Sequence, residues 1–101
     1  MANYRSESID KLFKTLMQFD SVDDFYLFFD DVCTINELKD MAQRFEVAAM
    51  LEKKINYNTI AAQTGVSTAT ISRVSRCLNY GDGGYKLALQ KLKEIENDES
   101  K

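Results

Sequence analysis

Apolar residues return at intervals of three and four along nearly the whole chain, and no stretch alternates apolar with polar residues as a half-buried strand does. The pattern predicts an all-α protein of about six helices. The first covers roughly residues 8–19, with Leu12, Phe13, Leu16 and Phe19 as its apolar stripe. Ser21 precedes VDDFYLFF with Asp24 three residues later, and Thr34 precedes INELKDMAQRFEVAAML with Glu37 three residues later. Both have the form of a capping box and open the second and third helices. The third helix ends near Lys53 or Lys54, whose charges suit the negative end of the helix dipole, and INYN makes a turn. NYGDGGY holds three of the four glycines and reads as a stop followed by a loop. A last helix over residues 85–96 is expected to bury Leu87, Leu89 and Leu92 or Ile95. The chain has no proline, so its helix ends depend on caps and glycines.

Between these elements lies YNTIAAQTGVSTATISRVSR, residues 57–76, which contains no acid and has a lone glycine near its centre. With Gly65 as a turn residue, a short helix precedes it and a helix of about three turns, STATISRVSRCL, follows. This is the pattern of a helix-turn-helix. The motif needs a small residue where its helices touch, a turn residue that tolerates positive φ, and apolar residues that seat the second helix. Ala61, four residues before Gly65, meets the first need; Ile60, Val66, Ile71 and Val74 meet the last. The opposite face of the second helix carries Thr68, Ala69, Ser72, Arg73 and Arg76. Small hydroxyl side chains there permit close approach to a groove floor and offer hydrogen bonds to phosphates or bases.

Charge placement agrees with this reading. Residues 1–40 hold four Lys/Arg against nine Asp/Glu, a balance of −5, whereas residues 53–81 hold Lys53, Lys54, Arg73 and Arg76 and no acid. A duplex would attract one part of the chain and be repelled by the other, which orients the protein although its net charge is −3.

Composition narrows the function classes. At 101 residues and 45% apolar content, the chain is expected to form one domain, residues 1–101. Within it, residues 8–54 form a helical dimerisation part, 57–78 the helix-turn-helix and 85–96 the C-terminal helix. No apolar run is long enough for a membrane span, and MANYRSESIDKL lacks the basic and apolar segments of a secretory signal, so a cytoplasmic, nucleoid-associated protein is expected. Histidine is absent, which removes the usual general base and the commonest zinc ligand and argues against an enzyme. Cys33 and Cys77 have no metal-binding spacing, and Cys77 is read as a thiol on the core side of the second helix of the motif. Asp23, Asp24, Asp30 and Asp31 point in different directions on one helix and read as its wet face, so no metal site is expected. GDGG lacks the strand and helix context of a phosphate-cradling loop.

Phe25, Tyr26, Leu27, Phe28 and Phe29 are consecutive, so their helix is apolar almost all round. A second chain is the simplest cover for such a helix, and a homodimer is expected. Two recognition helices related by a two-fold axis would lie about 34 Å apart and read a palindrome.

GVSTATISRVSRCLNYG, supported by DVCTINELKDMAQRFEVAAMLEKKINYNTIAAQTG, resembles the tryptophan repressor superfamily, and most closely its short YerC/YecD branch; the resemblance runs from about Leu12 to Leu92. It implies an intertwined, all-helical homodimer that sets two recognition helices into successive major grooves. It also implies DNA contacts from Ser67, Thr68, Ala69, Thr70 and Ser72. The tryptophan repressor holds its co-repressor with a threonine opening the third helix, two arginines bracketing the indole, and a glycine and a serine on the recognition helix. Thr34, Arg44 (with a one-residue gap before the turn) and Arg73 match the first three. Val74 stands in place of the glycine and Cys77 in place of the serine. A branched side chain there fills or reshapes the cavity, so tryptophan is not the expected ligand. Arg73 is then a phosphate contact or an ion-pair partner, and Thr34, Arg44, Arg73 and Cys77 mark a candidate effector pocket without a legible ligand.

The expectation is a dimeric, sequence-specific transcriptional regulator, a repressor occupying a palindromic operator, with Arg73 and Arg76 on phosphates and no cofactor. The alternative is a protein-interaction adaptor that keeps the helix-turn-helix as scaffold and grips a partner with its aromatic, acidic N-terminal half.

Overall fold

The computed structural model describes residues 4–99. Among them are six α-helices and no strand: α1 (Glu7–Leu16), α2 (Val22–Val32), α3 (Ile35–Glu52), α4 (Tyr57–Thr64), α5 (Thr68–Tyr80) and α6 (Gly84–Glu99). The chain divides into two compact units, Met1–Leu38 and Lys39–Lys101, with the division inside α3. Among the described residues no helix is long and apolar enough to cross a membrane.

In the first unit, Ser6 caps α1 by accepting from the Ile9 N–H at 3.2 Å. The helix is shorter than its apolar stripe predicts. Beyond Leu16 the chain tightens, with Gln18 N–H donating to Thr15 O and Phe19 N–H to Leu16 O, bonds that span three residues instead of four. Phe19 therefore leaves the helix and meets Phe25 edge-on at 4.8 Å between ring centroids, with Phe28 at 5.9 Å. Ser21 caps α2 by accepting from Asp24 N–H at 3.2 Å, while the Asp24 carboxylate accepts from Asp20 N–H, one residue earlier than a capping box requires. Neither α1 nor α2 has a buried residue. Val22, Tyr26, Leu27 and Val32 of α2 are each more than half exposed.

α3 opens with a complete capping box. Thr34 N–H donates to Glu37 Oε1 at 2.8 Å, and Glu37 N–H donates to Thr34 Oγ1 at 3.1 Å. It ends on two nested bonds, Lys54 N–H to Leu51 O and Ile55 N–H to Met50 O, with Lys54 at φ 64°. That pair is a Schellman motif, which usually takes glycine at its left-handed residue.

The core lies in the second unit and is shared by four helices: Val47 and Ala48 of α3, Ile60 of α4, Ile71, Val74 and Leu78 of α5, and Leu89 of α6. Ile71, Val74 and Leu78 recur at helical spacing, so one face of α5 is fixed inward and its opposite face is left to solvent. In α6, Leu89 is buried and Leu92 half-buried, but Leu87 is 64% exposed and Ile95 55% exposed, contrary to the expectation for Leu87. At about 100° per residue Leu87 lies some 200° round the helix from Leu89, so both cannot face the same core.

Candidate nucleic-acid interface

α4 and α5 are joined by a three-residue turn. Asn56 caps α4, its Oδ1 accepting from Thr59 N–H at 2.9 Å. The helix stops at Gly65, whose φ of 77° is left-handed and whose N–H donates to Ala61 O at 2.9 Å. The residue anticipated for positive φ is the one that adopts it. Thr64 braces the turn from inside: its hydroxyl donates to Ile60 O at 2.7 Å and accepts from Val66 N–H at 3.2 Å. From α3, the Gln43 side-chain amide donates to Thr64 O at 2.9 Å. Ile60 and Ile71 are fully buried, and they clamp the two helices to the core on either side of the turn.

α5 starts at the N-cap Ser67. Its Oγ accepts from Thr70 N–H and donates to Thr70 Oγ1, both at 3.2 Å. Ser67 and half-buried Thr70 thus have their hydroxyls engaged in shaping the start of the helix. Thr68, Ala69, Ser72, Arg73 and Arg76 are exposed. Ser72, Arg73 and Arg76 lie within about 100° of arc around the helix, opposite Ile71, Val74 and Leu78. No described residue forms an ion pair with Arg73 or Arg76. The helix thus offers small donors and acceptors at its N-terminal end, followed by two exposed guanidinium groups, a set suited to phosphate and base edges.

Three of the four candidate effector residues meet in one depression of about 490 Å³, where Arg44, Arg73 and Cys77 are joined by Val74, Asp40 and Tyr85. Thr34 belongs to the first unit, where its hydroxyl and N–H serve the capping box. Val74 is only 3% exposed and lines this depression, so its isopropyl group takes up space that a glycine would leave open. Cys77 is exposed, which corrects the expectation of a core-side thiol. It follows Val74 by three residues and is carried past the core face onto the wall of the depression. A thiol is a weaker hydrogen-bond partner than the hydroxyl expected at this place.

Gln43, Thr64 and Tyr85 were not legible as parts of this region. Gln43 reaches a carbonyl 21 residues away, and nothing in local periodicity marks such a bond. Glu37 has its pKa held below the ordinary 4.5, first by the hydrogen bond from the Thr34 backbone N–H and then by the Thr34 side chain.

Comparison with known proteins places this architecture. The family model described as Trp repressor protein matches residues 7–93, so the chain belongs to the Trp repressor family, a family of DNA-binding regulators and not of enzymes. It falls in the YerC-type branch. The Bacillus subtilis (strain 168) protein called "Uncharacterized protein YerC" is 49% identical over 96 residues, covering 95% of this chain and 92% of that one. The crystal structure of a TrpR-like protein from Eubacterium eligens ATCC 27750 superposes with a TM-score of 0.83 at 47% identity, over 88% of this chain and 92% of that chain. A Staphylococcus aureus chain shares the fold with a TM-score of 0.82 at 39% identity, over 88% and 89% of the two chains.

Proposed function

We propose that the protein is a homodimeric, sequence-specific transcriptional regulator that represses by occupying a palindromic operator. The observation that carries this reading is the outer face of α5, where Thr68, Ser72, Arg73 and Arg76 are exposed, with no ion pair from Arg73 or Arg76 to a described residue, while Ile71, Val74 and Leu78 hold the helix to the core. The second helix of such a motif enters the major groove, where hydroxyl groups meet base edges and arginines meet phosphates. The exposed apolar side chains of α1 and α2 support a dimer, because a second copy would remove Phe13, Val22, Tyr26 and Leu27 from water. Two copies of α5 about one duplex turn apart would read a palindrome. Such a protein works at the nucleoid in the cytoplasm.

Tryptophan is not its co-repressor in this reading. Val74 occupies the room an indole would need, and Cys77 offers a carboxylate less than a hydroxyl does. Arg73 is then available to the duplex. The test is duplex binding by fluorescence anisotropy over a salt series, with and without tryptophan. The reading expects steep salt dependence and no response to tryptophan. Salt-independent or absent binding would favour an interaction adaptor.

A further inference from the structure

On the flank of α5 away from Arg73 and Cys77, a second depression of about 430 Å³ lies beside Ser75 and Asn79. It gathers the end of α3, the start of α4, the last turn of α5 and the start of α6. Its cations are Lys54 and Lys86 and its one acid is Glu52; no ion pair joins either lysine to a described residue. Lys53, also exposed, lines a separate depression with Glu52 and Glu96 and is not part of this one.

Lys54 is the informative member. It is the one non-glycine residue at positive φ among those described, and it fills the left-handed position of the Schellman motif that ends α3. An L side chain is disfavoured there and glycine fits freely, so the position carries a lysine side chain at a conformational cost. What the side chain adds is a charge beside Asn56 and Tyr57, where α4 begins and the positive end of its dipole emerges. Lys86 reaches the same depression from α6, an element otherwise outside the helix-turn-helix.

We propose that this basic depression grips a phosphodiester of the duplex backbone, outside the groove that α5 enters. The proposal rests on the DNA-binding reading and extends the footprint beyond α5. In a helix-turn-helix the first helix crosses the backbone while the second enters the groove, so the start of α4 is where phosphates pass. A lysine ammonium is a compact point charge, suited to a phosphate and indifferent to sequence. Glu52 offsets one of the two cations, which leaves the depression with one net positive charge.

The experiment uses the full chain, with Lys54→Gly and Lys86→Gln made singly and together, and duplex affinity measured over a salt series. Lys54→Gly relieves the left-handed strain while removing the charge, so its melting temperature should rise by a few degrees. Its affinity should nevertheless fall, equally on all duplexes, with the salt slope reduced by about 0.9 for each phosphate that is no longer neutralised. Opposite movements of stability and affinity separate a phosphate contact from a folding defect. If wild type binds steeply and the double variant keeps the same slope, the proposal is overturned and the α5 reading stands. If wild type binds no duplex, the DNA-binding reading fails and takes this proposal with it. Should inorganic phosphate then raise the melting temperature of wild type but not of the double variant, the depression takes free phosphate instead of a backbone phosphodiester.

Discussion

Gln43 of α3 and Thr64 at the end of α4 are joined by a 2.9 Å hydrogen bond, from the side-chain amide of one to the backbone carbonyl of the other. The bond ties the helix-turn-helix to the longest helix at the place where the chain turns, and it is partly shielded from solvent. Gln43→Ala leaves that carbonyl without its partner and is expected to cost about 1 kcal/mol of stability by denaturant titration. Duplex affinity should fall as well, because the turn that aims α5 is loosened.

Gly65 meets no atom within 4 Å of an added Cβ, so Gly65→Ala introduces no clash. Its φ of 77° is still disfavoured for alanine. The expected loss is about 1–2 kcal/mol, all of it backbone strain. Gly65→Asn should lose less, since asparagine tolerates the left-handed region better. Thermal unfolding of the two variants checks the order.

The outer face of α5 should separate affinity from selectivity. Arg76→Ala is expected to weaken binding about equally on every duplex and to lower the salt slope. Thr68→Ala and Ser72→Ala are expected to compress the differences between sequences, by about 1 kcal/mol at each base that a hydroxyl touches. Competition against a panel of duplexes measures both effects.

Glu37 carries a pH dependence. Its carboxylate accepts the Thr34 N–H, which holds its folded pKa below the ordinary 4.5. A group depressed on folding stabilises above its unfolded pKa, and the contribution is lost as pH falls through the folded value. The stability gap between wild type and Glu37→Gln should therefore be present at neutral pH and shrink below about pH 4.5. Urea titrations from pH 7 down to pH 3 test the sign.

Much of the motif was legible because its determinants are local. A glycine between two amphipathic stretches, an alanine four residues before it, and Ile60, Ile71 and Val74 at helical spacing define α4, the turn and α5 without reference to distant residues. The caps at Ser21 and Thr34 were equally readable, since each depends on residues three positions away. What escaped depended on tertiary detail. Cys77 follows the buried Val74 by three residues, as a core residue would, yet it lines an open depression that also takes in Asp40 and Tyr85 from other helices. Leu87 looks like a core leucine, but the face of α6 turned inward is the one carrying Leu89. Lys54 at positive φ was invisible because glycine, the usual mark of that conformation, is absent.

The most direct test of sequence-specific DNA binding through α5 is a pull-down of sheared genomic DNA from the source organism at near-physiological salt, with the Arg73→Glu, Arg76→Glu double variant alongside. Enrichment of a few palindrome-bearing promoter fragments by wild type and none by the variant is the expected result. Equal recovery of the same fragments by both proteins, or enrichment by neither, would contradict it.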